Sequence, residues 1–311
     1  MFNYGKYPGG ARYHVDQVPA DFSLYGKSTY NDVGTGSCWI TGAKVDMEKR
    51  QHTMQLCFRA EGPQLMPPAV IFKGAPHVDA HDNVNPREPY TKRLAERRKY
   101  DKRVIVYWDP KAYAGCAVSD AWLEDFQKYT HKADRKRILG LDNFSSQAND
   151  RYEENAKKVN INLAYTPENC TDLVAVTDAG LGYQIKRRVV AYYQADLEKS
   201  EERLNQWKNG NVSTAERRIL FTTWLGDAWE DYTTNHQDEI TNAFKRCGMY
   251  NDIDGKENHL VKLERMKDYK PPLKTDKPAI VKKKKGRKRK RKIEPKKSNK
   301  KAKITDFFSK K

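Results

Sequence analysis

No apolar run in this sequence approaches the roughly 18 residues that a membrane-crossing helix needs. The longest are short, such as Pro67–Phe72. The first residues, MFNYGKYPGG, lack the apolar centre of a secretion signal. Neither a membrane partner nor a secreted product is therefore expected. Cysteine is scarce, and Cys38, Cys57, Cys116, Cys170 and Cys247 are odd in number and widely spaced. That pattern suits free thiols in a reducing compartment better than a disulfide framework. A phosphate-cradling glycine loop is also lacking, because Gly34-Thr35-Gly36 stands too isolated to form one. Acidic residues almost vanish at one end: from Lys270 to Lys311 there are 20 Lys/Arg against 3 Asp/Glu. The remaining residues are balanced, 39 basic against 38 acidic, so the net charge of +18 describes the tail and not the body.

What is present reads as an α/β domain. Short runs rich in Val, Ile, Tyr and Phe, bounded by Gly, Pro or Asn, predict strands at Arg12–Val18, Thr53–Ala60, Ala69–Phe72, Val104–Tyr107, Arg137–Leu141 and Asn160–Tyr165. Glu61-Gly62-Pro63 predicts a turn between antiparallel strands. Helical spacing predicts helices over Ser119–His131, Asn149–Lys158, Gly180–Lys199, Thr214–Tyr232 and Asp238–Cys247, the last ending at Gly248. Strands followed by strand–helix alternation imply a sheet of mixed direction flanked by helices. The polar segment Lys73–Arg103, with three prolines and the basic run Lys92–Arg103, reads as a partly helical insertion. That run suits either a DNA contact or a solvated helix. Beyond Arg265 the chain is too polar to bury a core and is expected to be disordered.

Three aspartates stand where chemistry could be done. Asp16 lies inside or at the end of the first strand, Asp142 ends Ile138-Leu139-Gly140-Leu141, and Asp178 opens the helix that contains Lys186. Carboxylates at strand ends and helix starts can converge on one sheet edge and hold two divalent ions about 4 Å apart. Such hard oxygen ligands select Mg²⁺ or Mn²⁺. Taken alone, an aspartate at a strand end is more often a cap or turn residue.

Four ordered segments carry a more specific signal. These are His14-Val15-Asp16-Gln17-Val18-Pro19, the hairpin Thr53–Gly74 (MQLCFRAEGPQLMPPAVIFKG after the Thr), RILGLDNFSSQ over Arg137–Gln147, and YTPENCTDLVAVTDAGLGYQIK over Tyr165–Lys186. With the 35 residues between Asp142 and Asp178, they resemble the catalytic domain of DDE superfamily endonucleases, the mariner/pogo (tigger-like) transposases. Ala243–Met249 resembles the family's terminal helix. The resemblance implies an RNase H-like fold and metal-dependent hydrolysis of DNA phosphodiesters, followed by strand transfer from the freed 3′-OH. It makes Asp16, Asp142 and Asp178 the catalytic ligands of two Mg²⁺ or Mn²⁺ ions, with Asn143 behind them. Lys186, Arg187 and Arg188 would bind DNA phosphates, and a dimer on DNA is among the assemblies such chemistry allows. The sequence departs from the pattern at Gln147, where many relatives carry His, and at Ala175-Val176-Thr177 in place of Gln-Pro-Leu. Because the first acid stands at position 16, the expected domain lacks the helix-turn-helix region that relatives carry ahead of it. The implied division is a catalytic domain over 1–197 with an insertion near 74–103, a helical extension over 198–265, and a tail over 266–311.

In the tail, Lys282, Lys283, Lys284, Lys285, Arg287, Lys288, Arg289, Lys290, Arg291 and Lys292 form a dense cationic run. It suits a nuclear localisation signal read by an import receptor, hence the nucleus, and salt-sensitive DNA binding. At the end, Ile304, Phe307 and Phe308 share one face of a short turn and resemble the PIP box, the peptide that docks on the replication sliding clamp (PCNA). Lys301 replaces the usual Gln. A second reading of the whole chain follows: an inactive or domesticated nuclear DNA-binding protein that docks on the clamp through its tail. His77–Asp82 reads as a polar surface turn and not a metal site. Trp207, Trp224 and Trp229 read as helix packing and not base-stacking platforms.

Overall fold

The computed structural model describes residues 4–20, 52–90, 93–131, 136–142, 146–167, 170–252, 254–263, 266 and 269. Six strands make one sheet: β1 (Arg12–Ala20), β2 (His52–Arg59), β3 (Ala69–Lys73), β6 (Ile105–Asp109), β7 (Arg137–Leu141) and β8 (Ile161–Tyr165). Their spatial order is β6-β3-β2-β1-β7-β8. β1–β2 and β2–β3 are antiparallel, whereas β1–β7, β7–β8 and β3–β6 are parallel. A three-strand meander followed by two parallel strands on its first-strand side is the RNase H-like arrangement, with β6 added beyond β3. Each expected strand is present, to within a few residues at its ends.

Both faces of the sheet are covered, which is why its strands read as near-continuous apolar runs. On one face Tyr13, Val15, Cys57, Ile71, Leu139 and Leu141 pack with Trp122, Phe126 and Tyr152. Those aromatics come from α2 (Cys116–Thr130) and α3 (Asp150–Lys158), α1 being the single turn Leu94–Arg97. On the other face Leu56, Phe58, Val70, Phe72 and Ile138 meet α5 (Gly182–Leu197), α7 (Thr214–Asn235) and α8 (Gln237–Arg246). Between these stand α4 (Thr171–Val174) and α6 (Glu201–Lys208). Trp224, Trp229 and Phe244 thus share a core with the sheet. Trp207, Trp224 and Trp229 are all buried, Trp207 and Trp224 against Tyr193, so none offers a face to a base.

Local chemistry sets the helix ends. Asn149, Ser200 and Ser213 each accept a hydrogen bond from the backbone N–H three residues on, capping α3, α6 and α7. α8 stops as the sequence predicts: Gly248 takes φ 72°, its N–H reaches Lys245 O, and Met249 N–H reaches Phe244 O. This is the paired closure that a left-handed glycine permits.

The insertion differs from expectation. It is mainly a hairpin, β4 (Pro76–Val78) and β5 (Val84–Pro89), with helix confined to the one turn of α1. Asp79 closes the hairpin by accepting from the N–H groups of His81 and Asn83, which consumes its carboxylate in a turn. Three arginines of the basic run that follows are held by the protein, while Arg98, Lys99 and Lys102 are exposed. Arg93 stacks on Trp108, Arg97 pairs with Glu88, and Arg103 pairs with Asp101, Asp227 and Glu230. Period and composition do not reveal the pairing of Arg103 with Asp227 and Glu230, because both acids lie on the distant α7. Among the described residues, Cys57, Cys116, Cys170 and Cys247 are free thiols, and no helix is long and apolar enough to cross a membrane.

Candidate functional site

The sheet register brings the first two carboxylates together. β1 and β7 pair in parallel with Arg12 beside Ile138, Tyr13 beside Leu139 and His14 beside Gly140. Carried two residues further, the same offset sets Asp16 level with Asp142, one strand spacing of about 4.8 Å away. Equal parity puts both side chains on the same face as His14 and Gly140. The third carboxylate arrives from that face. Asp178 is exposed in the π-turn Thr177–Leu181, which leads into α5. That turn is seated closely on β1, since a Cβ at Gly182 would lie 3.1 Å from Val18 Cγ2.

Electrostatics report the convergence. The Asp16 carboxyl is pushed up to about 7, first by burial and then by the negative charge of Asp178 and Asp142. The hydrogen bond from Gln17 N–H to Asp16 Oδ1, 2.7 Å, offsets part of this. Asp16 therefore sits in the field of both other acids. Among the described residues no three His, Cys, Asp or Glu side chains are already closed around a common point. The donor set fits hard divalent cations: three carboxylates, one of them disfavoured as an anion by burial and by its neighbours, without the compensating charge a cation would supply.

Two neighbours fix the acids in place. Thr171 Oγ1 donates to Asp142 Oδ1 at 2.9 Å. Nothing in the spacing of the motifs pointed to Thr171; the signal available was only its place in the loop before the third acid. His14 is buried under the site, its Nδ1 3.5 Å from Thr177 Oγ1, and burial lowers it to about 4, so it stays neutral despite Asp142. Gly140 allows this packing, because a Cβ there would overlap the Tyr4 hydroxyl.

Gly180 takes φ 117°, a conformation that costs residues with a Cβ, although open space surrounds it. The Gly180→Ala chain is therefore expected to lose about 1–2 kcal/mol of stability through backbone strain alone. Denaturant titration of both chains checks this, and equal midpoints would contradict it.

The basic cluster splits. Lys186 Nζ donates to Pro19 O at 3.1 Å, at the rim beside β1, and Arg187 is exposed. Arg188 is turned to the opposite flank, where its guanidinium binds Asp231, Gln184 and His236 and lies 4.6 Å over the Tyr232 ring. It joins α5 to α7 and leaves the phosphate-facing set. Asn143, the cationic run Lys282–Lys292, and Ile304, Phe307 and Phe308 lie outside the described residues.

Residues 49–244, more than half of the chain, match the family described as DDE superfamily endonuclease. Asp142 and Asp178 fall inside the match and Asp16 precedes it. Three solved structures resemble the chain at low identity. The Mos1 transposase paired-end complex with left transposon end has 12% identity and a TM-score of 0.37, covering 73% of this chain and 55% of that one. The Mos1 strand transfer complex has 13% and 0.34, covering 73% and 54%. The Mos1 mariner paired-end complex with Mn has 11% and 0.35, covering 72% and 55%. The chain thus spans about half the length of each of these. No curated protein matches it in sequence.

Proposed function

Because the chain belongs to the DDE superfamily of endonucleases, we propose that Asp16, Asp142 and Asp178 carry metal-dependent hydrolysis of DNA phosphodiester bonds, followed by strand transfer. The observation that carries this reading is the β1–β7 register that brings Asp16 beside Asp142, with the Asp16 carboxyl raised by burial and then by the charges of Asp178 and Asp142. Three acids on different elements, one partly buried, are a poor arrangement for stability and a good one for binding cations.

Asp16 and Asp142 supply oxygens from adjacent strands, and Asp178 supplies its own from the turn above. Two Mg²⁺ or Mn²⁺ ions held there would stabilise the attacking and leaving oxygens of an in-line displacement. Thr171 keeps one Asp142 oxygen oriented. Neutral His14 supports the Asp178 turn through Thr177 without adding a competing charge. Lys186 and Arg187, on the first turns of α5, hold the phosphate backbone beside the acids. In the tail, Lys282–Lys292 would add salt-sensitive DNA affinity and an address for nuclear import, and Ile304, Phe307 and Phe308 a docking peptide for the sliding clamp.

The test is nicking of supercoiled plasmid by the full chain. Cleavage that needs Mg²⁺ or Mn²⁺ and stops with a chelator supports the proposal. Tight DNA binding with no nicking under any metal would sink it and leave a DNA-binding protein on an inherited fold. A finer expectation concerns Thr171. The Thr171→Val chain should bind Mn²⁺ about 10-fold more weakly, since partners behind a metal ligand are worth that much. Isothermal titration reads this directly, and unchanged affinity would remove Thr171 from the site.

A further inference from the structure

One cleft adjoins the acids without belonging to them. It has a volume of about 450 Å³ and begins at Ala179 and Gly180, directly after Asp178. Gln184 of α5, Asn242, Lys245 and Arg246 of α8, and Lys262 line it with them. The backbone keeps this shape, because Lys262 N–H donates to Arg246 O at the end of α8 and pins the following segment there. The floor is the buried Tyr232.

The charge on the walls is one-sided. Glu239 is the acid in the lining, and its carboxylate is engaged by His236 and by the Tyr232 hydroxyl. Arg246 and Lys262 are exposed, and Lys245 lies over the Tyr250 ring with its ammonium 5.1 Å from the centroid. Three cations and the Asn242 amide along an open groove match the sign of a phosphodiester backbone, with room for a single strand.

We propose that this cleft binds the single-stranded DNA that continues from the phosphodiester held at Asp16, Asp142 and Asp178. The inference rests on the catalytic reading for its direction, since the cleft leads away from Asp178. The strand lies against α8, with phosphates on Lys245, Arg246 and Lys262 and Asn242 donating between them.

The experiment uses the full chain carrying Asp142→Ala, without metal, so that its readout does not depend on cutting. A photo-crosslinking p-benzoylphenylalanine replaces Asn242 in one protein and the exposed Glu154, on the opposite face of the sheet, in another. Each is irradiated with a duplex bearing a single-stranded extension. Cross-linking site by site separates the cleft from the cationic tail, which binds any DNA. The Asn242 position should capture the extension at least about 10-fold more efficiently than the Glu154 position. Neutralising Lys245, Arg246 and Lys262 to Gln should make the salt dependence of binding shallower by about 2 in log–log slope, close to 0.7 per phosphate released. Equal capture at the two positions, or an adduct with a second copy of this chain in place of DNA, overturns the proposal. Preferential capture together with a wild-type chain that never nicks would keep the cleft and reject the catalytic reading. Nicking by wild type together with equal capture would do the reverse.

Discussion

Replacing Asp142 by alanine is expected to lower metal-dependent nicking by about 10³-fold or more, equivalent to about 4 kcal/mol of transition-state stabilisation. The argument is geometric. Asp142 follows directly on β7, and the β1–β7 offset carried two residues on sets it level with Asp16, so each can supply one side of a shared cation site. Removing either leaves two acids on different elements, too few to hold two ions against the reacting oxygens. Asp178→Ala should fall equally far, because its carboxylate is the one that reaches the site from the opposite element. Stability should move little, since Asp142→Ala deletes a charge that Asp16 finds repulsive and also costs the hydrogen bond from Thr171. Nicking rates and melting curves on the same preparations separate the two effects. Retention of more than a tenth of the wild-type rate by either variant would show that the reaction is carried elsewhere.

Much of this site was legible before the fold was described. The strands announced themselves through runs such as Ala69–Phe72 and Arg137–Leu141, because a sheet covered on both faces has no polar side to interrupt them. Asp16, Asp142 and Asp178 stood out at element ends in ordered motifs. Their convergence did not follow from the sequence, since the register that sets Asp16 beside Asp142 depends on long-range parallel pairing. The adjacent cations Lys186, Arg187 and Arg188 read as one patch, but a helix turns about 100° per residue. Lys186 therefore faces β1, Arg187 the solvent, and Arg188 the carboxylate of Asp231. The insertion misled for a related reason. Its prolines and charges resemble a polar helix in composition, whereas the hairpin is fixed by Asp79 accepting two local N–H groups and by Arg87 reaching Asp125 and Ala121 O on α2. Thr171 stayed invisible because a hydroxyl that orients a carboxylate leaves no pattern of its own.

Asp16→Asn should stabilise the metal-free chain at pH 8 and reverse the order of melting once Mg²⁺ or Mn²⁺ is added. In the folded protein the Asp16 carboxyl titrates at about 7, far above its value near 3.9 in an unfolded chain. Between those two values the folded state holds a proton that the unfolded state has released, so stability falls as pH rises from about 4 to about 7. Above that window the full penalty of a partly buried anion beside two others persists. The shift would correspond to about 4 kcal/mol if Asp16 were fully enclosed; partial solvent screening reduces this to about 2 kcal/mol, or roughly 5 °C of melting temperature. Asparagine keeps the shape and the contact with Gln17 N–H but carries no charge, so its melting temperature should be nearly flat across the same window. Cations act in the opposite sense. They neutralise the repulsion in the wild type, and at 100 times the dissociation constant they add about 2.7 kcal/mol, whereas the variant with one ligand blunted gains little. The wild type should therefore melt below Asp16→Asn in chelator at pH 8 and above it in Mn²⁺. Parallel pH profiles for the two chains would mean that Asp16 does not feel Asp142 and Asp178, and the three acids would no longer constitute one site.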